Sequence, residues 1–540
     1  MSADTADILR QLRASGAAAG LARLRRGIEK ESLRVNEDGM LAQTPHPPAL
    51  GAALTHPSIT TDYAESLLEL ITPVCTGAGE LLGELGDIHH FVYHHIGEED
   101  LWVNSMPCIV QQEERIQIAR YGNSNIAKMK EAYRRGLRMR YGGMMQTIAG
   151  IHFNFSLEDD FWRAFANCGG AEELQHCKSR HYFALIRNFH RHSWLPCYLF
   201  GASPAVCKSF PKGREHDLEE YDAHSFYAPH ATSLRLSGLG YSSGAQAGIG
   251  IDYNSLEGFV ASLRRAICTP HPQYEKFGVK NGGEYLQLNA NILQIENEFY
   301  SVIRPKRAAP SGVSPSRALL RGGVEYVEVR SLDLNPFAPA GMDAECVRFF
   351  DMLLLHCLLA DSPGIDRDEW ARCGENRGRV VMRGRRLGLE LCAEDGAPNA
   401  FAARATALLE AMRPLAELLD ETENADGNDG NGGKNEYARA LDLQLEKVRD
   451  PEATPSARVL REMRERKESF YEFGLRMSAQ HAAMFKQKPM DAKKLAARRA
   501  EAERSHTDLR EMEAREEAGF DAFLEEYFRR QNAAEEPPAN

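Results

Sequence analysis

The stretch "IEKESLRV" (residues 28–35) decides how the fold is interpreted. Side chains alternate between the two faces of a β-strand. One face of this strand therefore carries Glu29, Glu31, Leu33 and Val35, and the other carries Lys30, Ser32 and Arg34. Burial of two carboxylates beside Leu33 and Val35 is costly unless positive charge compensates them. The stretch therefore predicts a strand with an acidic face that needs cations.

The composition sets limits on the class of protein. The chain has 540 residues, 43% hydrophobic and 26% charged, which allows a large core and more than one domain. Its 65 basic and 77 acidic residues give a net charge of −12, which argues against nucleic acid as a partner. Neither a signal peptide nor a membrane-spanning stretch is evident. The 11 cysteines include no CxxC pair, which is typical of buried thiols in a reducing cytoplasm, where we expect this protein.

Short alternating runs predict the secondary structure of the first two thirds. "GIHFNFS" (150–156) and "VEYVEVR" (324–330) indicate half-buried strands of a largely antiparallel sheet. Residues 284–307 suggest two strands around an Asn-rich turn, and 234–253 a Gly/Ser-rich loop after a short strand. The fold class predicted from this mixture is α+β.

Helical spacing dominates the remainder. We predict a catalytic core over residues 1–360 and a mainly helical C-terminal region over 361–540, packed on that core. The polar, Gly-rich run at 422–437 predicts a mobile loop. The highly charged stretch at 491–528 predicts helices whose charges mostly form a solvated face.

Further acids and one histidine lie on predicted strands. Asp62 and Glu69 belong to "TTDYAESLLELITPV" (60–74), while His152 and Glu328 lie within the alternating runs. Mg²⁺ and Mn²⁺ prefer carboxylate oxygens and leave coordination sites for phosphates, so these groups suit a shared cation site. The alternative is equally simple: single strand glutamates are often solvated or salt-bridged, and a single histidine is often a hydrogen-bonded core residue.

Positive and aromatic groups supply the complementary chemistry. Arg235, Arg330 and "IRPKR" (303–307) can hold carboxylates or phosphates. Four other residues can line a small-molecule pocket, namely Tyr133, Arg134, Tyr241 and Tyr300. Ordinary packing remains an alternative for each. No phosphate-binding loop of the GxxxxGK[ST] type is found.

Several segments together resemble one family. They are "GIEKESLRV" (27–35), "ALTHPSITTDYAESLLELITPV" (53–74), "SMPC" (105–108), "RYGGMMQTIAGIHFNFS" (140–156), "YLFGASPAVC" (198–207), "HATSLRLSGLGY" (230–241), "LQIENEFYSVIRPKR" (293–307) and "LLRGGVEYVEVRSLDLNPF" (319–337). In this order, from about residue 22 to 360, the chain resembles glutamate–cysteine ligase (γ-glutamylcysteine synthetase) of the proteobacterial type. The C-terminal third is similar mainly in its helical character.

The resemblance implies a fold and a reaction. The fold would be glutamine synthetase-like, with a curved, mostly antiparallel sheet that forms a funnel-shaped active site surrounded by helices. The reaction would join the γ-carboxylate of L-glutamate to L-cysteine at the expense of ATP, through γ-glutamyl phosphate, in the first step of glutathione biosynthesis. The cofactor would be Mg²⁺ or Mn²⁺, and feedback inhibition by glutathione is expected.

The resemblance also implies a role for each site residue. The metal ligands would be Glu29, Glu31, Asp62, Glu69, His152 and Glu328. Arg330 and Glu328 would act in catalysis, and Arg235 would hold glutamate. The cysteine pocket would comprise Tyr133, Arg134, Tyr241 and Tyr300. Cys373 and Cys392 match positions of a possible disulfide, for which two free thiols are the alternative.

Two other functions stay open at this point. A ligase of the same fold could join its acid to an amine other than cysteine, since only the acceptor pocket would differ. A non-catalytic protein that binds metal or amino acids could also retain the fold.

Overall fold

The computed structural model describes residues 4–166, 168–240, 246, 248–310, 312–393, 399–426, 435–516 and 518–532. Its strands are β1 (Arg25–Val35), β2 (Ile59–Thr61), β3 (Leu67–Ile71), β4 (Asp100–Leu101), β5 (Ile151–Ser156), β6 (Ala205–Cys207), β7 (Glu219–Glu220), β8 (Ser225–Tyr227), β9 (Lys280–Asn281), β10 (Glu284–Tyr285), β11 (Ile303–Lys306), β12 (Tyr326–Leu332), β13 (Glu390–Leu391) and β14 (Asn399–Ala400).

The main sheet has seven strands and is antiparallel throughout. Six follow the order β11-β12-β5-β1-β3-β2, and β4 pairs with the end of β1. In this register Glu29 lies opposite His152 and Glu31 lies opposite Glu69. Strand β1 therefore lies between the two strands that supply the other candidate ligands, and the antiparallel sheet predicted from the alternating runs is confirmed.

Helices surround this sheet and form most of the C-terminal region. They are α1 (Asp4–Ala14), α2 (Ala78–Tyr93), α3 (Asn125–Tyr141), α4 (Asp159–Ala166), α5 (Ala171–His192), α6 (Trp194–Phe200), α7 (Leu256–Cys268), α8 (Pro272–Glu275), α9 (Pro315–Gly322), α10 (Ala344–Leu359), α11 (Arg367–Arg383), α12 (Phe401–Asp426), α13 (Glu436–Arg449), α14 (Pro455–Arg466), α15 (Phe470–Gln487), α16 (Ala492–Ala514) and α17 (Phe520–Asn532). The α+β class is confirmed.

The apolar helix α10 anchors β1 in the core. Its side chains are buried nearly all around, and it packs against α5, α12 and α13. Asp351 of α10 forms a buried ion pair with Arg26 of β1 at 2.8 Å, and Tyr437 of α13 donates a hydrogen bond to the same carboxylate. This pair ties the strand that carries the acidic face to two helices.

The second face of β1 is also buried. Lys30 donates to Ser32 Oγ and lies 2.8 Å from His89 Nε2 on α2. Arg34 pairs with Glu99 at 2.6 Å. The alternation inferred from sequence is therefore confirmed, because these basic side chains point away from the glutamates.

Residues 284–307 contain two strands as predicted, β10 and β11, although both are short. Leu234–Leu236, at the start of the predicted Gly/Ser-rich loop, forms a 3₁₀ turn. Helices cover both ends of the loop predicted at 422–437, because α12 continues to Asp426 and α13 begins at Glu436, while 427–434 lie outside the described residues. Among the helices that the structure describes, none has the length and apolar character needed to span a membrane.

Candidate active site

Glu29 meets His152 across the pair β1–β5. Their side chains approach to 3.1 Å between Glu29 Oε2 and His152 Nδ1. Asn154, two residues further along β5 on the same face, donates to Glu29 Oε1 at 2.9 Å. Both carboxylate oxygens of Glu29 are therefore oriented by β5.

Glu31 is held from the neighbouring loop. The backbone N–H of Gly150 donates to Glu31 Oε2 at 2.6 Å, and Glu31 Oε1 lies 3.7 Å from His152 Nε2. Glu69 extends from β3 directly opposite. Ligand atoms of Glu31, Glu69 and His152 all lie within 4.8 Å of one another.

Glu328 completes the cluster from β12. It is fully buried, and Lys306 and Arg330 donate to its two oxygens at 3.0 Å and 3.1 Å. Arg330 Nη1 also lies 3.4 Å from His152 Nδ1. Glu29, His152 and Glu328 form a second group of ligand atoms within 4.8 Å.

The two sides of the cluster differ in their electrostatic environment. Burial raises the pKa of Glu328, but Lys306 and Arg330 outweigh it, so that this pKa lies well below its usual value. Burial also raises the pKa of Glu69, and the negative charges of Glu29, Asp62 and Glu31 raise it further, to well above its ordinary value. The side near Glu328 is therefore neutralised by the protein's own cations, whereas the side near Glu69 has an excess of negative charge.

These donor groups fit hard divalent cations. Carboxylate oxygens with one imidazole, in two overlapping groups, match the ligand preference of Mg²⁺ or Mn²⁺. A cation near Glu69 would remove the repulsion that raises its pKa. Among the described residues, Glu29, His152 and Glu328 would hold one ion, and Glu31, Glu69 and His152 another.

A cavity of about 890 Å³ opens beside the cluster. Six of the predicted site residues line it, namely Glu31, Asp62, Tyr133, Arg134, Tyr300 and Arg330. Asp62 reaches the site between β2 and β3, and its backbone carbonyl accepts a 2.6 Å hydrogen bond from Arg134. Tyr241 lies outside the described residues. The structure thus brings the metal candidates and three members of the expected acceptor pocket together.

Arg235 occupies a different position, behind the cavity wall. Its guanidinium donates to the Arg330 carbonyl at 2.9 Å and lies 3.8 Å from Asp333. Gly150 leaves room for this guanidinium, because a Cβ there would lie only 2.1 Å from Arg235 Nη2 and would require the Arg235 side chain to move. Arg235 is buried and is not among the residues that line the cavity, so its contact with glutamate stays a prediction.

A second cavity of about 430 Å³ adjoins the first. Tyr133, Asn297, Phe299 and Arg304 line both. Basic groups of the second cavity include Lys130, Arg304, Lys306 and Arg307. Because Lys306 also donates to Glu328, this cavity reaches the metal cluster as well.

The possible disulfide is not present. Cys373 and Cys392 are both free thiols, and burial raises the pKa of Cys373. Asn376, one turn after Cys373 on α11, bonds to both the backbone N–H and the carbonyl of Cys392 at 2.6 Å and 3.1 Å. Cys392 is therefore held beside the helix that carries Cys373, and pairing of the two cysteines under oxidising conditions stays a prediction.

Sequence reasoning missed several residues of the site. Asn154 orients Glu29, and alternation along "GIHFNFS" places it on the face of His152, which could have indicated it. Glu298 lines the first cavity and accepts hydrogen bonds from Arg140 and Tyr141 at 3.0 Å and 2.6 Å. Trp370 and Arg377 line the same cavity from α11, within the region assigned to the C-terminal helices.

Comparisons with known proteins agree with this geometry. A family model described as glutamate–cysteine ligase matches residues 9–380. The glutamate–cysteine ligase of Pseudomonas entomophila is 50% identical over 502 residues, which covers 93% of this chain and 93% of that protein.

Two solved structures are similar in fold. The glutamate–cysteine ligase of Francisella tularensis, crystallised in complex with AMP, superposes with a TM-score of 0.87 at 34% identity, over 94% of this chain and 98% of that one. A bifunctional glutathione synthetase from Pasteurella multocida gives a TM-score of 0.67 at 26% identity, over 88% of this chain and 54% of that one.

Proposed function

The chain belongs to the glutamate–cysteine ligase family, and on this premise we propose how its residues divide the work of the reaction. It joins L-glutamate to L-cysteine with ATP as co-substrate, in the first step of glutathione biosynthesis. The observation that carries the proposal is the cluster of Glu29, Glu31, Glu69, His152 and Glu328 beside two adjoining cavities.

The reaction needs two anions to meet. A γ-carboxylate oxygen of glutamate bonds to the γ-phosphorus of ATP, the bond from that phosphorus to the bridging oxygen breaks, and ADP leaves. The cysteine amine then attacks the acyl carbon of γ-glutamyl phosphate, loses a proton and displaces phosphate. The site must therefore neutralise phosphate charge and exclude water, which would hydrolyse the acyl phosphate.

We assign cation binding to Glu29, Glu31, Asp62, Glu69, His152 and Glu328. Held by these residues, Mg²⁺ or Mn²⁺ would supply positive charge that stabilises the transferring phosphoryl group. Asp62 supplies negative charge beside Glu69, as its effect on the pKa of Glu69 indicates. Asn154 and Gly150 hold the glutamates in place by hydrogen bonds.

We assign the nucleotide to the 430 Å³ cavity. Its cations suit a triphosphate, and Lys306 connects them to the metal cluster through Glu328. Arg330 faces the larger cavity from the same cluster and would neutralise the phosphoryl group in transfer. The γ-phosphate of ATP and the γ-carboxylate of glutamate would then approach each other near Arg330 and Arg304.

We assign the amino acids to the 890 Å³ cavity. Tyr133, Arg134 and Tyr300 line it and would contact cysteine, with Tyr241 assigned by the family resemblance. Arg235 would hold glutamate once the loop carrying Gly150 lets its guanidinium reach the cavity. Glutathione, the end product of the pathway, would fill both amino-acid positions, which is the basis of the expected feedback inhibition.

Three broader features belong to the same proposal. Both cavities are lined by side chains from the face of the sheet that carries Glu328, namely Arg330 in the larger and Lys306 in the smaller, and this supports a glutamine synthetase-like funnel. The division into a core (1–360) and a C-terminal region (361–540) is retained, although α11 contributes to the larger cavity. The protein would act in the cytoplasm.

A measurement of ADP formation by the protein tests this function. With Mg²⁺ and ATP, we expect ADP release that requires both glutamate and cysteine, and mass spectrometry should detect γ-glutamylcysteine. Glu29→Gln should lower kcat/KM by about 100-fold or more, since it removes a ligand of the ion that stabilises the transition state. The exposed Glu37→Gln is the matched control and should behave like the wild type.

The two rival functions give different results. Magnesium binding without ADP release would indicate a non-catalytic protein. Faster turnover with 2-aminobutyrate or an unrelated amine than with cysteine would contradict the acceptor assignment.

A further inference from the structure

The C-terminal helix α17 forms one wall of the smaller cavity. Phe523 and Tyr527, four residues apart and hence on one face of the helix, line that cavity and are half-buried. They face a cavity whose other apolar lining includes Met129 on α3 and Phe259 and Leu263 on α7. The family model ends at residue 380, so that this wall comes from outside it.

Specific contacts fix α17 in this place. Leu524 is buried in a cluster with Ala132 of α3 and with Leu288 and Ile295. Asp521 accepts hydrogen bonds from Lys280 at 2.8 Å and from the hydroxyl of Tyr285 at 2.7 Å. The helix is therefore docked as an ordered element.

The segment before α17 also supports the cavity. The carboxylate of Glu516 accepts hydrogen bonds from the backbone N–H of Asn125 at 2.6 Å and 2.8 Å, at the first residue of α3. Asn125 in turn donates to the carbonyl of Ala518 at 2.9 Å. Since α3 carries Lys130 and Tyr133 of the same cavity, the C-terminal segment holds both walls together.

The lining has the two chemical characters of a nucleotide. The basic residues Arg304 and Lys306 belong to β11, and Arg307 follows it, next to the metal cluster. The aromatic rings of Phe523 and Tyr527 come from a different element. Aromatic rings bind the flat faces of purine bases by stacking, whereas phosphates need the cations.

We infer that Phe523 and Tyr527 of the C-terminal helix bind the base of the nucleotide. This inference rests on the proposed function, in which the smaller cavity takes ATP. It makes α17, which sequence analysis interpreted as part of a solvated helical region, a determinant of nucleotide affinity. The phosphates would be bound independently of these two side chains.

Steady-state kinetics of Tyr527→Ala and Phe523→Ala test this role. Loss of one base–aromatic contact should raise the KM for ATP by about 5- to 150-fold. The KM values for glutamate and cysteine, and kcat at saturating ATP, should stay within about twofold of wild type, since no contact with those substrates is proposed. Tyr527→Leu retains apolar volume without the ring. If Tyr527→Ala does not fold, Tyr527→Leu should still show a raised KM for ATP.

Phe528→Ala is the matched control. Phe528 lies on the same helix and packs against the cluster around Leu524, but it does not line the cavity. We expect its KM for ATP to remain within about twofold of wild type. An equal rise in Phe528→Ala would mean that α17 acts only by supporting the fold.

Inorganic tripolyphosphate separates base binding from phosphate binding. As a competitor of ATP it lacks a base, so its inhibition constant should be the same in wild type and Tyr527→Ala. An unchanged KM for ATP in both alanine variants, or a parallel loss of tripolyphosphate affinity, would overturn the inference. A wild type that releases no ADP with glutamate and cysteine would instead refute the proposed function.

Discussion

Glu69→Gln should stabilise the metal-free protein while it removes a metal site. Glu69 is half-buried opposite Glu31, and their ligand atoms lie within 4.8 Å. Burial and the charges of Glu29, Asp62 and Glu31 all raise its pKa, which shows that its ionised form is unfavourable without a cation. The neutral amide keeps the size of the side chain and removes the charge.

The magnitude follows from Coulomb's law. Two unit charges no more than 4.8 Å apart, at an effective dielectric constant of about 20, repel by at least about 3.5 kcal/mol. Partial exposure of Glu69 and the nearby guanidinium of Arg330 reduce the net effect to about 1 kcal/mol. In a protein of this size that corresponds to a rise in Tm of roughly 1–2 °C.

Calorimetric scans in EDTA and in Mg²⁺ provide the assay. In EDTA, Glu69→Gln should melt above the wild type. In Mg²⁺ the wild type should gain stability by preferential binding to the folded state, and the variant should lose most of that gain together with ligase activity. Glu37→Gln should match the wild type in both buffers. A lower Tm in EDTA, or an undiminished Mg²⁺ effect, would refute the reasoning.

Three other substitutions probe separate parts of the molecule. Lys306→Met should raise the KM for ATP by about tenfold, since a charge-assisted contact worth about 1.5 kcal/mol is lost, while Lys178→Met on an exposed ion pair should leave it unchanged. His56 accepts two backbone hydrogen bonds and burial lowers its pKa to about 4, so stability should fall as the pH drops from about 6.5 to 4, and less so in His56→Asn. Asp351→Ala removes the buried partner of Arg26 and should cost about 3–5 kcal/mol of unfolding free energy.

Each of these expectations can fail in a distinct way. An unchanged KM for ATP in Lys306→Met would place the phosphates elsewhere. Identical acid sensitivity of wild type and His56→Asn, measured as Tm against pH, would remove that histidine from the acid transition. A normal Tm in Asp351→Ala would mean that the buried ion pair contributes little to the stability of β1 and α10.

Local pattern predicted the faces of strands but not their partners. Alternation placed Glu29 and Glu31 on one face of β1, and the structure confirms it. That Glu69 lies opposite Glu31 depends on the register between β1 and β3, which long-range pairing sets and no local pattern contains. The resemblance to a family, and not the local pattern, predicted that Glu69 and Glu31 belong to one metal site.

Residues that act through a distant partner were the hardest to find. Lys306 was included in "IRPKR" as a possible phosphate group, but its bond to Glu328 depends on pairing of β11 with β12. The role of α17 was not predicted, because its charged surface dominates the sequence pattern and only its half-buried face meets the cavity. Helical periodicity shows that a face exists, whereas tertiary packing decides what it contacts.

Arg304 connects the two proposed substrate sites. Its guanidinium lines both cavities, and burial lowers its pKa to about 10, mainly because few solvent molecules reach it. A single positive group shared between two sites makes their occupancies thermodynamically linked: whatever one ligand does to the affinity of the other must be returned by the same factor. If ATP and the amino acids occupy these two cavities as proposed, bound amino acid should change the affinity for ATP, and bound ATP should change the affinity for amino acid by the same factor.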